Sequence, residues 1–339
     1  MLRAALVTPL SGPLARYGRA GALALRLWAE WYPRPVELRT YDAHPDPITA
    51  IRDAERDRPD LLFGPYGSGP ARAVAAATTR LLWNHGGAEV EPAANVVSLL
   101  APATTYFEGA IQAVKTADPE TRRIAILHSE IRFARAVAAG AVRMAARLGL
   151  EATLGPLTAT PAIDAPEADL LLTAGGFEDE LAAARRLLPG RWRAAGFVGA
   201  GVEEVLSDLG PLREGLLGPA QWLAEAATTP DEGPSAKEFA AAYRSEAGTD
   251  PPYPAAQAFA AGVIAGRCLR DVEGTDDNAL LAAARALDCT TMFGRFRLDP
   301  ETAEQIGHRV LTVQWQDGRR EVVWPRERAT AALRHPLGR

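Results

Sequence analysis

Short apolar runs alternate with amphipathic stretches along the first two thirds of this chain, and the alternation starts twice. Residues 2–8 (LRAALVT), 36–41 and 60–63 read as strands, separated by helical stretches at 19–31 and 48–57. The first of these helices carries Leu23, Leu27 and Trp31 at i, i+4 and i+8, a single apolar stripe. A glycine-rich turn, Gly64-Pro65-Tyr66-Gly67-Ser68-Gly69-Pro70, follows the third strand, and Pro70 suits the first turn of a helix over 71–82. Runs at 81–83 and 96–99 add strands. The series restarts at 123–128 (RIAILH), with a helix at 133–148, a strand at 170–173, a helix at 178–188 and a strand at 195–198. Strands alternating with helices of this length predict βαβ units and parallel sheets covered on both faces. Two series predict an α/β protein with two Rossmann-like lobes.

The last third reads differently. Helices are expected at 235–246, 254–271 and 278–287, after a Pro/Gly/acidic linker at 228–234. Residues 292–324 carry the alternation of antiparallel strands. Runs at 310–315 and 321–324 flank Gln316-Asp317-Gly318, and Asp-Gly between two such runs is a strong hairpin signal. A length of 339 residues also favours two cores over one.

Composition removes several classes of function. Hydrophobic residues make up 47% and charged residues 23%, the balance of a globular protein. The net charge of -5 leaves no basic footprint for nucleic acid or anionic membrane. No apolar run reaches the ~18 residues that span a bilayer. Met1 is followed at once by the first strand, which leaves two expectations open: a cytoplasmic chain, or an exported one whose signal has been removed. Cys268 and Cys289 have no metal-type spacing, and read either as buried free thiols or as a disulfide in an exported protein.

Catalytic motifs are missing at each place they might stand. The five histidines, His44, His85, His128, His308 and His335, form no HExxH or His-x-His pair. Neither lysine, Lys115 or Lys237, sits in a P-loop context. Gly67-Ser68-Gly69 lacks the first glycine of a nucleophile elbow, since Tyr66 stands there. Gly199-Ala200-Gly201 lacks the third glycine of a dinucleotide fingerprint. No catalytic residue, cofactor or metal is expected.

Binding is expected instead. In open parallel sheets ligands sit beyond the carboxyl ends of the strands, where helix N-termini point N–H groups outward. The loops in that position are 11–18, 64–69, 84–87, 129–133, 175–177 and 199–201, several of which combine glycine with one aromatic or hydroxyl residue. Glycine lets backbone donors approach closely, and a ring supplies apolar area at low entropic cost.

At these residues the chain resembles the branched-chain amino acid (Leu/Ile/Val) binding proteins of ABC transporters. Ser11-Gly12-Pro13 with Tyr17-Gly18 is similar to the family's first loop, Tyr41-Asp42 with Asp46-Pro47 to its second-strand segment, and Gly64–Ser68 to its GPYGS loop. Gly294, Phe296, Asp299, Gly307-His308 and Gln314-Trp315-Gln316 with Gly318 resemble its C-terminal signature. The ordered set spans essentially the whole chain.

The resemblance implies the type I periplasmic-binding-protein fold, with three crossovers between lobe one (1–100 and 223–311) and lobe two (101–222 and 312–339). It implies an extracytoplasmic solute-binding protein, lipid-anchored or periplasmic, that captures a small molecule by hinge closure and hands it to a membrane permease. The alternative is a cytoplasmic ligand sensor, similar to amide-responsive regulators of the same fold.

By the same resemblance, Tyr17 packs on the ligand and Ser68 contacts its carboxylate, while Phe133 and Phe177 keep the rings of family tyrosines without their hydroxyls. The loop that holds an amino-acid head group reads Trp83-Asn84-His85-Gly86-Gly87-Ala88 here. Asn84 and His85 in it are either ligand contacts or solvated loop residues. The acidic partner of a ligand ammonium falls near Ala200, where no carboxylate stands; Glu203 lies just beyond. A buried ammonium without a partner costs several kcal/mol, so a ligand other than an ordinary α-amino acid is expected. Trp222 either walls the cleft or packs a hinge, Tyr253 and Gln257 open a helix facing the ligand, and Asp42 braces a loop.

Overall fold

The computed structural model describes residues 1–157, 168–190 and 192–336. The chain divides into two units, Met1–Pro102 with Trp222–Arg309 and Ala103–Gln221 with Val310–Arg339, and so passes between them three times.

The first unit opens with β1 (Leu2–Thr8), α1 (Ala15–Trp31), β2 (Val36–Asp42), α2 (Pro47–Arg56), β3 (Leu61–Tyr66), α3 (Ser68–Ala77), β4 (Leu82–Gly86) and β5 (Val96–Ser98). Its five strands lie in the order β2-β1-β3-β4-β5, and every pairing is parallel. Leu61–Tyr66 and Leu82–Gly86 are buried throughout, as central parallel strands must be when helices cover both faces. On one face Val7, Leu62 and Leu82 pack with Ile51 of α2 and Val74 of α3. Local chemistry fixes where α2 begins: the Asp46 carboxylate accepts from the N–H groups of Ile48 and Thr49, and Pro47 stands at the first helical position.

The second unit begins with α4 (Glu108–Ala117), β6 (Arg123–His128), α5 (Arg132–Arg147), β7 (Glu151–Pro156), β8 (Leu170–Ala174), α6 (Phe177–Leu187), β9 (Ala194–Phe197) and β10 (Leu217–Ala220). The chain then returns to the first unit for α7 (Ala236–Ala247), α8 (Tyr253–Asp271), α9 (Asp277–Ala286), β11 (Asp288–Thr290) and β12 (Arg295–Arg297). In that unit α8 packs along α1 and against β4. A last hairpin, β13 (Leu311–Gln316) and β14 (Arg319–Trp324), completes the second unit. The sheet there runs β14-β13-β10-β9-β8-β6-β7; β7 to β10 are parallel, and β13 joins β10 antiparallel.

The expected alternation of strand and helix is what the chain adopts, including the Asp-Gly hairpin. Asp317 and Gly318 turn through φ of 54° and 77°, the left-handed pair that a two-residue hairpin requires. Sequence reading passed over α4, β7 and β10. The edge strand β7 (EATLGP) is largely exposed and so carries no apolar run to betray it. Within the parallel set both sheets share one order, with the second strand outside the first and the third on its other side. Both are doubly wound, with a switch point between the first and third strands: β1 and β3 in one unit, β6 and β8 in the other.

Candidate functional site

At the switch point of the first unit the loops after β1 and β3 lead into α1 and α3 and carry a cluster of tyrosines. Tyr17, in the first turn of α1, stacks on Tyr66, the last residue of β3, with centroids 4.7 Å apart and planes 25° from parallel. Tyr253, the first residue of α8, stands 6.5 Å from Tyr17 and 6.2 Å from Tyr66, and its hydroxyl is hydrogen-bonded to that of Tyr66. The exposed Arg16 lays its guanidinium 4.5 Å from the centre of the Tyr17 ring and donates to the Tyr17 hydroxyl.

Backbone braces hold this cluster. Leu10 N–H and the Ser11 hydroxyl donate to the Asp42 carboxylate at 2.8 and 2.7 Å, and His44 N–H adds a third bond at 3.0 Å. Burial pushes the Asp42 carboxyl upward, but these bonds outweigh it and hold the group down at about 2. Asp42 is thus the loop brace that the sequence suggested. Gly67, at φ 96°, turns the chain from β3 into α3, and a side chain there would meet Leu14 at 2.8 Å.

The expected head-group loop is a correction. Asn84 and His85 are residues of β4, and neither lies in a loop. The Asn84 amide donates to Gly87 O and to the Ser98 hydroxyl, both at 2.9 Å, and its oxygen accepts from Gly87 N–H at 2.9 Å. Gly86 accepts from Gly67 N–H at 2.9 Å. Asn84, Gly86 and Gly87 therefore tie strand ends together. His85 is wholly buried on the other face, beside Gly21 of α1 and Ala258 of α8, with neither ring nitrogen hydrogen-bonded. Burial lowers its imidazole to about 4. The strand extends past its apolar run because Asn84 satisfies its own polar atoms within the fold.

Ser68 accepts from Glu89 N–H at 3.1 Å, which fixes the segment after Gly87. Gln257 lies one turn beyond Tyr253 on α8, 1% exposed, and its Oε1 has no hydrogen-bond partner. Trp222 packs inside the first unit, its indole N–H donating to Met292 O at 3.0 Å and its ring set against Phe239.

At the switch point of the second unit the corresponding rings are Phe133 and Phe177. Phe133, in the first turn of α5 after β6, meets Tyr106 edge-on at 5.4 Å. The Tyr106 hydroxyl in turn accepts from the Gln221 amide at 3.1 Å. Phe177 opens α6 directly after β8, and both phenylalanines are half-buried.

Near Ala200 the one buried carboxyl among the described residues comes from another element and is already engaged by the backbone. Glu180 of α6 is wholly buried; Oε1 accepts from Gly175 N–H at 2.9 Å and Oε2 from Gly199 N–H at 2.6 Å. Burial pushes this carboxyl up to about 8, against the pull of those donors. With both oxygens engaged it is a clamp joining two strand-end loops. Ala200 is buried, and its carbonyl accepts from the Trp315 indole at 2.9 Å. Gly201 O accepts from Arg320 at 2.8 Å, and a side chain on Gly201 would lie 1.7 Å from Pro219 O. Glu203 is exposed and pairs with Arg320 at 3.0 Å.

Sequence reading named Tyr17, Tyr253, Phe133 and Phe177; the first two stand 6.5 Å apart, and the other two lie in the first turns of the helices that follow β6 and β8. It passed over Arg16, Tyr66 and Glu180. Cys268 and Cys289 are buried free thiols, both raised to about 12 by burial. Among the described residues no group of three His, Cys, Asp or Glu side chains is placed to hold a metal ion, and no helix is long and apolar enough to cross a membrane.

Two doubly wound α/β units, with rings at the switch point of each, are the frame of a type I solute-binding protein. A family model described as periplasmic binding protein matches residues 2–320, and the chain belongs to that family. Among solved structures, a putative branched-chain amino acid ABC transporter from Silicibacter pomeroyi superposes with a TM-score of 0.79 at 16% identity, covering 99% of each chain. A leucine binding protein from Thermotoga maritima gives 0.74 at 16% identity, covering 95% of this chain and 97% of its own. A solute binding protein of an ABC transporter from R. palustris, in complex with benzoate, gives 0.72 at 16% identity, covering 95% of both. At such identities the likeness is one of fold.

Proposed function

We propose that this chain is the extracytoplasmic solute-binding component of an ABC importer. It captures a small organic molecule by hinge closure, with the two units as its lobes, and hands the molecule to a membrane permease. The observation that carries this reading is the matched pair of switch points, Tyr17, Tyr66 and Tyr253 in one unit and Phe133 and Phe177 in the other. Rings and braced backbone loops bind and orient a ligand, and among the described residues no nucleophile with a paired base stands at either switch point, which supports the reading of a binder. Relatives of this fold hold ligands as unlike as leucine and benzoate, which share a carboxylate and differ in everything else.

A molecule that binds only the native state stabilises it by RT ln(1 + [L]/Kd), about 2.7 kcal/mol at a hundredfold excess over Kd. The test is a thermal-shift screen against amino acids, aliphatic acids and aromatic acids at millimolar concentration. At least one class should raise the melting midpoint by several degrees. A flat response across all three, with the protein folded, would sink the reading.

A further inference from the structure

We infer that the first unit holds a second binding site, remote from its switch point, for a small neutral aromatic molecule whose one polar group is a hydrogen-bond acceptor. The site goes beyond the solute-binding reading and does not depend on it.

It lies at the far ends of α1 and α8. A pocket of about 290 Å3 opens there, lined by Trp28 and Trp31 of α1, Tyr32 just after it, Phe259 of α8 and the segment 232–234. Trp31 follows Tyr17 by 14 residues, or about 21 Å along the helix, so the pocket is separate from the tyrosine cluster.

The walls are built in advance. A side chain on Gly262 would meet the Trp28 ring at 2.3 Å, and one on Gly266 would meet Tyr32 at 2.8 Å, so these two glycines of α8 seat the rings of α1. Trp28 and Tyr32 stand 5.4 Å apart, while Trp31, 43% exposed, meets Phe259 nearly at right angles at 5.5 Å. On the facing rim Gly233, at φ 80°, lies against Val263, and the N–H groups of Asp231 and Glu232 donate to Thr290 O at 2.9 and 3.0 Å. A pocket held this way needs little ordering when a guest enters.

The lining selects the guest. Rings on several sides favour an aromatic molecule, because stacked and edge-to-face contacts add to the area buried. The charged side chains are Glu232 and Arg270. Glu232 spends one oxygen on Arg270 at 2.6 Å and the other on Arg267 at 3.3 Å. Charge within the lining therefore cancels, and a carboxylate guest would face Glu232. What remains on offer is chiefly N–H. An indole can only donate, and Arg270, its side chain 47% exposed, places one N–H of its fork on Glu232. A carbonyl answers such donors; a guest carrying only an N–H does not.

The test follows the indole N–H resonances of Trp28 and Trp31 in the isotope-labelled full chain, assigned with Trp28→Phe and Trp31→Phe, during titration with acetophenone. Both should shift and saturate at millimolar probe or below. Three further probes each change one feature. Indole keeps the flat ring and donates instead of accepting, cyclohexyl methyl ketone keeps the carbonyl and loses the flat ring, and benzoate adds a charge. Each should bind more weakly than acetophenone. Trp31→Ala, read on Trp28, should weaken acetophenone at least about tenfold, and Arg270→Met, which keeps an apolar stem, by less. Both residues are exposed, so both variants should keep the wild-type melting midpoint. Shifts confined to other tryptophans, any of the three further probes binding best, or acetophenone affinity unchanged in Trp31→Ala would overturn the inference. So would the absence of any shift at Trp28 and Trp31.

Discussion

The two units share a sheet order and differ in how they fix the loops at the switch point. The first holds its loops with rings and with a carboxylate kept ionised: Asp42 sits at about 2 and gathers Leu10, Ser11 and His44. The second holds its loops with Glu180, a carboxylate driven up to about 8 by complete burial, together with Trp315 and Arg320 on the carbonyls of Ala200 and Gly201. The difference extends to the cores. The first unit buries a histidine held near 4, the second a glutamate held near 8, so charge is disfavoured in both but on opposite sides of neutrality. A common topology thus fixes where a ligand loop emerges and leaves open how it is made rigid.

The largest expected effect lies in the second unit. Replacing Glu180 by Ala removes the acceptor of two backbone N–H groups and leaves a cavity. Each unsatisfied buried donor costs about 1–3 kcal/mol, so the variant should lose about 3 kcal/mol or more of stability. Hydrogen exchange should show Gly175 and Gly199 losing protection together. A loss confined to one of them would break the picture of a single clamp.

Next in size is an opposed pH dependence. For His85 the unfolded chain binds a proton near 6.5 and the native state only near 4, so stability should fall as pH drops through that window. For Glu180 the native state keeps its proton up to about 8 while the unfolded chain releases it near 4.5, so stability should fall as pH rises between those values. Each amounts to a few kcal/mol across its window. Melting midpoints of the wild type, His85→Phe and Glu180→Gln, measured from pH 4 to 9, separate them. His85→Phe should remove the loss as pH falls below about 6.5, and Glu180→Gln the loss as pH rises from about 4.5 to 8. A substitution that leaves its own side unchanged would remove that residue from the account.

Much of this was legible before the structure. Strand–helix alternation gave most strands of both sheets, because buried parallel strands are largely apolar, while the exposed β7 and the short β10 escaped it. Tyr17, Phe133 and Phe177 stood out in strand-end loops, and Tyr253 at the start of a helix that the family resemblance turns to the ligand. Glu180 did not, since Glu178-Asp179-Glu180 reads as the solvated first turn of a helix. The spacing of Glu180, Ala183 and Ala184 at i, i+3 and i+4 was the available signal, for these are the buried residues of α6. What turns the carboxylate inward is a pair of backbone donors on two distant loops, and local sequence does not record such partners. Asn84 and His85 misled for a related reason: polar residues end a strand only where their side chains find no partner inside, and Asn84 finds Gly87 and Ser98. Arg16 was missed because an arginine in a first helical turn carries no local mark of the ring beneath it.

The smallest expected effect tests whether the first unit's rings act as one wall. The Tyr66 and Tyr253 hydroxyls are bonded to each other, from the end of β3 to the start of α8. Changing either tyrosine alone to Phe leaves the other hydroxyl without this partner, and a net hydrogen bond is worth about 1 kcal/mol. Changing both removes donor and acceptor together and keeps the rings, so the double variant should lose less than the sum of the singles. Denaturant midpoints of the four proteins give the coupling directly. A coupling near zero would mean that the hydroxyls act independently and that ring contact alone unites the cluster. A coupling of about 0.5 kcal/mol or more would show that the wall is tied across two elements, the first unit's counterpart to the Glu180 clamp.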